Sequence, residues 1–225
     1  TLFAPNTISS TLYERDFALS PDGKKVYYSL VLGSNIARLV ERTFENGQWS
    51  LPAPLPFSSG SNDIEPALSP DGKKLFFASN RGGNFDIYMC TLQPDGSWGQ
   101  PINVGAPVNT VTNEFYPSVT EDGTLYFTAR YSGGIGGEDI WYATWNGTSY
   151  DTPRVLPVGV NSDKDEYNAF VDPKGQYILF GSHGRADDAG RGDIYSSRKN
   201  ENGEWLNATR LGNGVNSSEL DYCPY

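Results

Sequence analysis

Short apolar runs bracketed by Gly, Pro, Asp and Asn recur along the whole chain, and none carries the 3.6-residue period of an amphipathic helix. The clearest unit opens on Glu65-Pro66-Ala67-Leu68 and enters the turn Ser69-Pro70-Asp71-Gly72. Pro presets φ at the second turn position, and Gly accepts the positive φ that closes a hairpin. Lys74-Leu75-Phe76-Phe77-Ala78-Ser79 then reads as a second strand. After the polar, Gly-rich loop Asn80-Arg81-Gly82-Gly83-Asn84, Asp86-Ile87-Tyr88-Met89-Cys90-Thr91-Leu92 reads as a third. A further turn, Pro94-Asp95-Gly96, leads into residues 97–104, predicted as the fourth and outermost strand.

This unit is written four times. Its turn signal stands at Ser20-Pro21-Asp22-Gly23, at Ser69-Pro70-Asp71-Gly72, at Thr120-Glu121-Asp122-Gly123 and at Asp172-Pro173-Lys174-Gly175, with starts 49, 51 and 52 residues apart. The third-strand motif recurs as Asp139-Ile140-Trp141 and Asp193-Ile194-Tyr195, and in degenerate form as Ala37-Arg38-Leu39. Gly-x-Trp appears at Gly47, Gly96 and Gly203, with Gly147-Thr148-Ser149-Tyr150 in its place in the third repeat. Repeats of this length, built from short strands, predict an all-β fold: a β-propeller of four-stranded antiparallel blades forming one domain over residues 1–225. The blade units fall at 14–57, 63–107, 114–159 and 166–213, with residues 1–9 and 219–225 as parts of a fifth blade. Four complete repeats and these parts make five blades if the ring closes, and the absent middle of the last blade suggests a natural protein that continues. The aromatic residues are expected between blades, because propeller sheets bury both faces.

Charge narrows the partners. The formal net charge is −10, which excludes nucleic acid and anionic membrane surfaces, since both select basic patches. No apolar run approaches the roughly 18 residues of a membrane span. Cys90 and Cys223 fall at non-equivalent places in the repeat, which suggests two buried thiols rather than a bridge, and no CxxC pair is present.

With its Ser-Pro-Asp-Gly hairpins and Asp-Ile-Tyr strands, the chain resembles the WD-like β-propeller repeat family of bacterial periplasmic and secreted proteins, of which TolB-type propellers are the best-known members. The likeness covers essentially all 225 residues. It implies a propeller in a periplasmic or secreted location, most often without enzymatic activity. The sialidase Asp-box has a different consensus and sits in a different hairpin, which counts against a sialidase.

Strand alternation divides the loops between two faces. Pro-Asp-Gly and Gly-x-Trp turns share one face and hardly vary. On the other lie the between-blade loops and the loops from second to third strand, which do vary: 80–85, 130–138 and 183–192. Variable loops on a rigid scaffold are where binding is usually built, so a site is expected on that face. Each between-blade loop brings an acid near the start of an innermost strand: Glu14, Asp63, Glu114, Glu166 and Asp221, with Asp16 and Glu65 two positions on. Such carboxylates could line an axial channel and bind a cation, a polyol or a basic side chain, or could cap backbone N–H groups of their own loops. Arg15, Asn80, Arg81, Arg130, Tyr131, His183 and Arg185 approach the same rim as ligand-binding candidates. Asp187, Asp188 and Asp193 are the calcium candidates, although their spacing departs from the EF-hand. No other cofactor is expected.

No nucleophile constellation is present, so the expected function is recognition of a glycan, a peptide or an envelope protein on the variable-loop face. The alternative is a glycan-processing hydrolase using axial acids such as Glu114, Glu166 and Asp63, a chemistry that requires two carboxyl groups roughly 5–9.5 Å apart.

Overall fold

The computed structural model describes residue 8 and residues 10–33, 36–58 and 60–225. Among them there is no helix; each repeat forms one antiparallel sheet, and the four sheets are the blades of a propeller. Blade one holds β1 (Tyr13–Leu19), β2 (Lys25–Leu32), β3 (Ile36–Glu45), β4 (Gln48–Trp49) and β5 (Ala53–Pro54). Blade two holds β6 (Asp63–Leu68), β7 (Lys74–Ser79), β8 (Asp86–Thr91) and β9 (Ile102–Asn103). Blade three holds β10 (Glu114–Val119), β11 (Leu125–Ala129), β12 (Asp139–Ala143) and β13 (Arg154–Val155). Blade four holds β14 (Asp165–Val171), β15 (Tyr177–His183), β16 (Asp193–Arg198) and β17 (Thr209–Arg210). The expected N-terminal strand lies outside the described residues, apart from Ile8, which is buried against Val26, Tyr28 and Val40.

The hairpins form for the reason their sequence gives. Gly23, Gly72, Gly123 and Gly175 all have positive φ. In the first three turns the acid's Oδ1 accepts from the hydroxyl that opens the turn: Ser20 to Asp22 at 2.6 Å, Ser69 to Asp71 at 2.6 Å and Thr120 to Asp122 at 2.5 Å. The same oxygen also accepts the backbone N–H two residues on, from Lys24, Lys73 and Thr124.

The outermost strand departs from expectation. Residues 97–104 do not form one continuous strand: Leu92 bridges Trp98, the chain breaks at Gly99 and Pro101, and β9 resumes over Ile102–Asn103. Blade one shows the same division into β4 and β5 around Pro52, and blade three bridges Trp145 to Tyr150 before Pro153 and β13. Pro has no N–H to donate to the ladder, so it interrupts each of these edges.

Three cores lie between consecutive blades. Tyr27 and Leu39 of blade one meet Leu75, Phe77 and Tyr88 of blade two. Phe76 and Ile87 meet Leu125, Phe127 and Trp141. Tyr126 and Ile140 meet Ile178, Phe180 and Tyr195. Full burial of each such side chain stabilises by about 1.5–3 kcal/mol. This packing sets β1, β6, β10 and β14 side by side around a common hub.

Candidate functional site

Every innermost strand carries a bulge at one equivalent position. Register slips between Arg15 and Phe17, Ile64 and Ala67, Phe115 and Ser118, and Tyr167 and Phe170. The extra residue turns left-handed: φ is 57° at Asp16, 61° at Glu65, 47° at Tyr116 and 55° at Asn168. Cys223 has φ 53° and follows Asp221 by two residues, as Asp16 follows Glu14 and Glu65 follows Asp63. A left-handed non-glycine residue costs about 1 kcal/mol or more, so five in phase mark a shared demand of the hub.

A bulge removes an amide from its ladder, and the neighbouring blade supplies the missing acceptor. Ser29 Oγ accepts from Glu65 N at 3.0 Å, and Thr128 Oγ1 accepts from Asn168 N at 3.2 Å. At the equivalent place blade two has Ala78, which offers no hydroxyl, and Glu65 Oε2 accepts from Tyr116 N at 2.7 Å instead.

The bulge residues form a polar knot. Arg15 donates to Asp16 at 2.7 Å and to Glu65 at 3.3 Å, and Ser29 Oγ donates to Asp16 at 3.0 Å. The Cys223 thiol donates to Asp16 Oδ1 at 3.0 Å, and Asn168 Nδ2 lies 2.7 Å from Cys223 Sγ. Burial and the neighbouring Asp16 push Glu65 up to about 8, against the pull of Arg15. Burial and Asp16 likewise raise the Cys223 thiol, which stays protonated. Both cysteines are free; Cys90 is buried, while Cys223 is only partly so, contrary to the expectation of two buried thiols.

Beyond this knot, towards the Pro-Asp-Gly face, an axial cavity of about 260 Å³ opens. Its walls come from all four innermost strands, with Phe17, Pro66, Pro117 and Phe170 among them, and Tyr225 fills the gap between blades four and one. Tyr225 packs edge-on to Phe17 at 5.5 Å and lies 5.3 Å from Phe170, and its hydroxyl bonds Leu19 N and O. Glu65 is the one acid in the lining.

The predicted rim residues are engaged elsewhere. Glu14 accepts from Ser10, Glu114 from Thr110 at 2.7 Å, Glu166 from Ser162 at 2.6 Å, and Asp221 from Ser217 at 2.6 Å; each closes the loop that precedes it. Asp63 and Glu166 are fully buried and paired with Arg81 and Arg185, both at 2.8 Å. Arg81 lies 5.0 Å from the centre of the Tyr88 ring, and Arg185 lies 4.6 Å from that of Tyr195, so each is a pin between loop and blade. Tyr131 takes the same role in blade three, with its hydroxyl on Val108 O. Asn80 Oδ1 accepts from Asn62 N at 2.8 Å. Arg130, 64% exposed, pairs loosely with Glu138 at 3.5 Å and Asp165 at 3.6 Å, and His183 is exposed opposite Asp165.

Two positions that look alike in sequence therefore do different work. The bulge breaks the period of two, so Glu14 and Asp63 serve the loops while Asp16 and Glu65 reach the hub. The calcium candidates are also occupied: Asp193 pairs with Arg210 at 2.6 Å, and Asp187 and Asp188 accept from Tyr195. Among the described residues no group of three or more His, Cys, Asp or Glu is placed to hold a metal.

Four antiparallel blades around a polar hub define a β-propeller. No family model matches the chain, and no curated protein matches it. Among solved structures it is similar to TolB from Acinetobacter baumannii, with 19% identity and a TM-score of 0.62, over 90% of this chain and 44% of that one. It is similar to a putative TolB from Agrobacterium tumefaciens at 18% identity, TM-score 0.64, over 92% of this chain and 68% of that one. It is also similar to the GH43 endo-arabinanase from Bacillus licheniformis at 16% identity, TM-score 0.57, over 85% and 75% of the two chains. The chain thus spans less than half the length of the first of these. The likeness shows the fold, and one fold shared by TolB proteins and a hydrolase does not choose between their activities.

Proposed function

We propose that this propeller is a non-catalytic recognition module whose axial cavity admits an apolar group carried by a peptide or protein partner. The observation that supports the reading is the cavity itself: about 260 Å³, walled by every innermost strand, apolar above a single buried carboxyl. Pockets with apolar walls and a few fixed polar groups are the usual form of a binding site. The reading moves the site from the variable-loop face to the turn face, because the loop-face arginines Arg81 and Arg185 are spent on Asp63 and Glu166. Hydrolysis of a glycan is disfavoured on the same ground: Glu114 and Glu166 hold their own loops, and Glu65 stands without a second free acid in the cavity. A periplasmic or secreted location belongs to this reading through the family resemblance.

Ala67, half-buried in the cavity wall, gives the test. Ala67→Trp fills the space with an indole. Aromatic tetrapeptides titrated into labelled protein should shift amide signals of Phe17, Ala67, Phe170 and Tyr225 in the native chain and not in the variant. Turnover of a glycan panel that disappears in Glu114→Gln would overturn the proposal. So would binding that Ala67→Trp leaves intact while Arg130 and Tyr131 respond.

A further inference from the structure

Three quasi-equivalent grooves lie between consecutive blades on the turn face, beside the axial cavity and bordering it at Pro21, Pro70 and Pro173. The first, about 470 Å³, has the partly exposed Trp98 in its wall, with Tyr27 buried beneath it, and is rimmed by Asp22, Asp71, Lys24 and Lys25. The second, about 190 Å³, sets Trp145 and Tyr150 beside Asp71, Glu121 and Lys74. The third, about 390 Å³, sets the partly exposed Tyr142, over the buried ring of Tyr126, beside Glu121, Asp122, Lys174 and Lys199. Each repeats one kit: aromatic walls, carboxylates and at least one ammonium.

The carboxylates are half used. Asp22, Asp71 and Asp122 each spend Oδ1 on their own hairpin. The Oδ2 atoms of Asp22 and Asp71 accept no hydrogen bond among the described residues, and Lys73 Nζ lies 4.0 Å from that of Asp71. Hydrogen bonds from Ser20 and Ser69 hold Asp22 and Asp71 below the usual carboxylate range. Six of the seven lysines, Lys24, Lys25, Lys73, Lys74, Lys174 and Lys199, stand on this face although the chain is acidic. Trp145 is 37% exposed, a large ring left in the open, and Lys74 Nζ is 5.5 Å from its centre.

We infer that these grooves bind a neutral glycan. The first and third grooves set two carboxylates against two ammonium groups and the second sets two against one, so none selects an anion, and the ammonium in each opposes a cation. Paired donors and acceptors suit adjacent hydroxyls, while an aromatic wall takes the apolar C–H face of a sugar ring. Three grooves in one arc match a ligand that repeats, and linked weak sites give an avidity that single units lack. The inference does not depend on the axial reading, and either can fail alone.

The test titrates neutral β-1,4-glucan, β-1,4-mannan and β-1,4-xylan hexamers, with a hexagalacturonate control, into the labelled protein. Asp71→Asn keeps the turn through its Oδ1 and alters the atom facing two grooves; Trp145→Ala removes one wall. At least one neutral hexamer should bind with signal changes at Trp98, Trp145 and Tyr126. Affinity should drop about tenfold in Asp71→Asn, as for a lost charge-assisted hydrogen bond, with a melting temperature lower by no more than about 2–4 °C and the fold intact at the temperature of the titration. Ala67→Trp should leave this binding unchanged. Silence with every neutral hexamer at about 10 mM, which excludes even millimolar affinity, overturns the inference. It is equally overturned by preference for the anionic hexamer, or by binding that Ala67→Trp abolishes and Asp71→Asn spares.

Discussion

Glu65 offers a direct measure of the hub. Its carboxyl is buried, accepts from Tyr116 N and Arg15, and lies in the field of Asp16. Burial first, and Asp16 second, raise it to about 8, against an ordinary value of 4.5. A raised acid binds its proton more tightly in the folded chain than in the unfolded one. Its contribution is therefore complete below the unfolded value and is lost as pH climbs through the folded one. Between about pH 5 and 8 native stability should fall by roughly 1 kcal/mol per pH unit from this group, and in a chain of this size the melting temperature by about 2–4 °C per unit. Glu65→Gln keeps an acceptor for Tyr116 N and removes the titration. Calorimetry of both proteins from pH 5 to 9, taken as a difference so that other groups cancel, should show the variant gaining on the native chain as pH rises. Parallel curves across the range, or a native chain that gains on the variant above pH 7, would refute the account of Glu65 as a buried acid raised by its surroundings.

Asn161→Ala should cost about 2–3 kcal/mol, because the side chain accepts from Ile140 N at 2.9 Å and donates to Ile140 O and Leu156 O, both at 3.0 Å, at a fully buried site. Urea titration should show a lower midpoint at unchanged slope. Arg185→Ala should cost about 3 kcal/mol or more, since it strands Glu166 in a fully buried position; a thermal shift near zero would return Arg185 to the role of a solvent-facing ligand residue.

Much of the architecture is legible before any coordinate, because its signals are local. Three of the four hairpins follow from Pro or its substitute, an acid and a Gly in fixed order, the fourth keeps Pro173 and Gly175 with its acid moved to Asp172, and the Asp-Ile-Tyr strands follow from short apolar runs bounded by turns. Asn109, Asn161 and Asn216 stand before Glu114, Glu166 and Asp221 in the between-blade loops. Their position five residues before each acid marks them as loop-closing, yet their partners Ile87, Ile140 and Ile194 lie on the third strand of the preceding blade. Long side chains were harder. Arg81 and Arg185 look like rim cations in sequence, but each has a buried carboxylate and aromatic faces within reach, and a guanidinium that meets all of these folds inward.

The hub was hidden for a different reason. Asp16, Glu65, Tyr116, Asn168 and Cys223 share a phase and a backbone conformation, yet they have no side-chain chemistry in common. Grouped by residue type, Asp16 and Glu65 stand out as acids and Cys223 as a thiol, while Tyr116 and Asn168 fall in no group with them. What the position demands is a left-handed bulge that exposes an amide to the preceding blade, and several solutions meet that demand. Ser29 and Thr128 meet it with a hydroxyl from the blade before. Where that blade offers Ala78, a carboxylate must reach across, and Glu65 is the residue that does. The acid at the floor of the cavity is thus first a structural repair, and its availability to a ligand follows from where the repair had to be made.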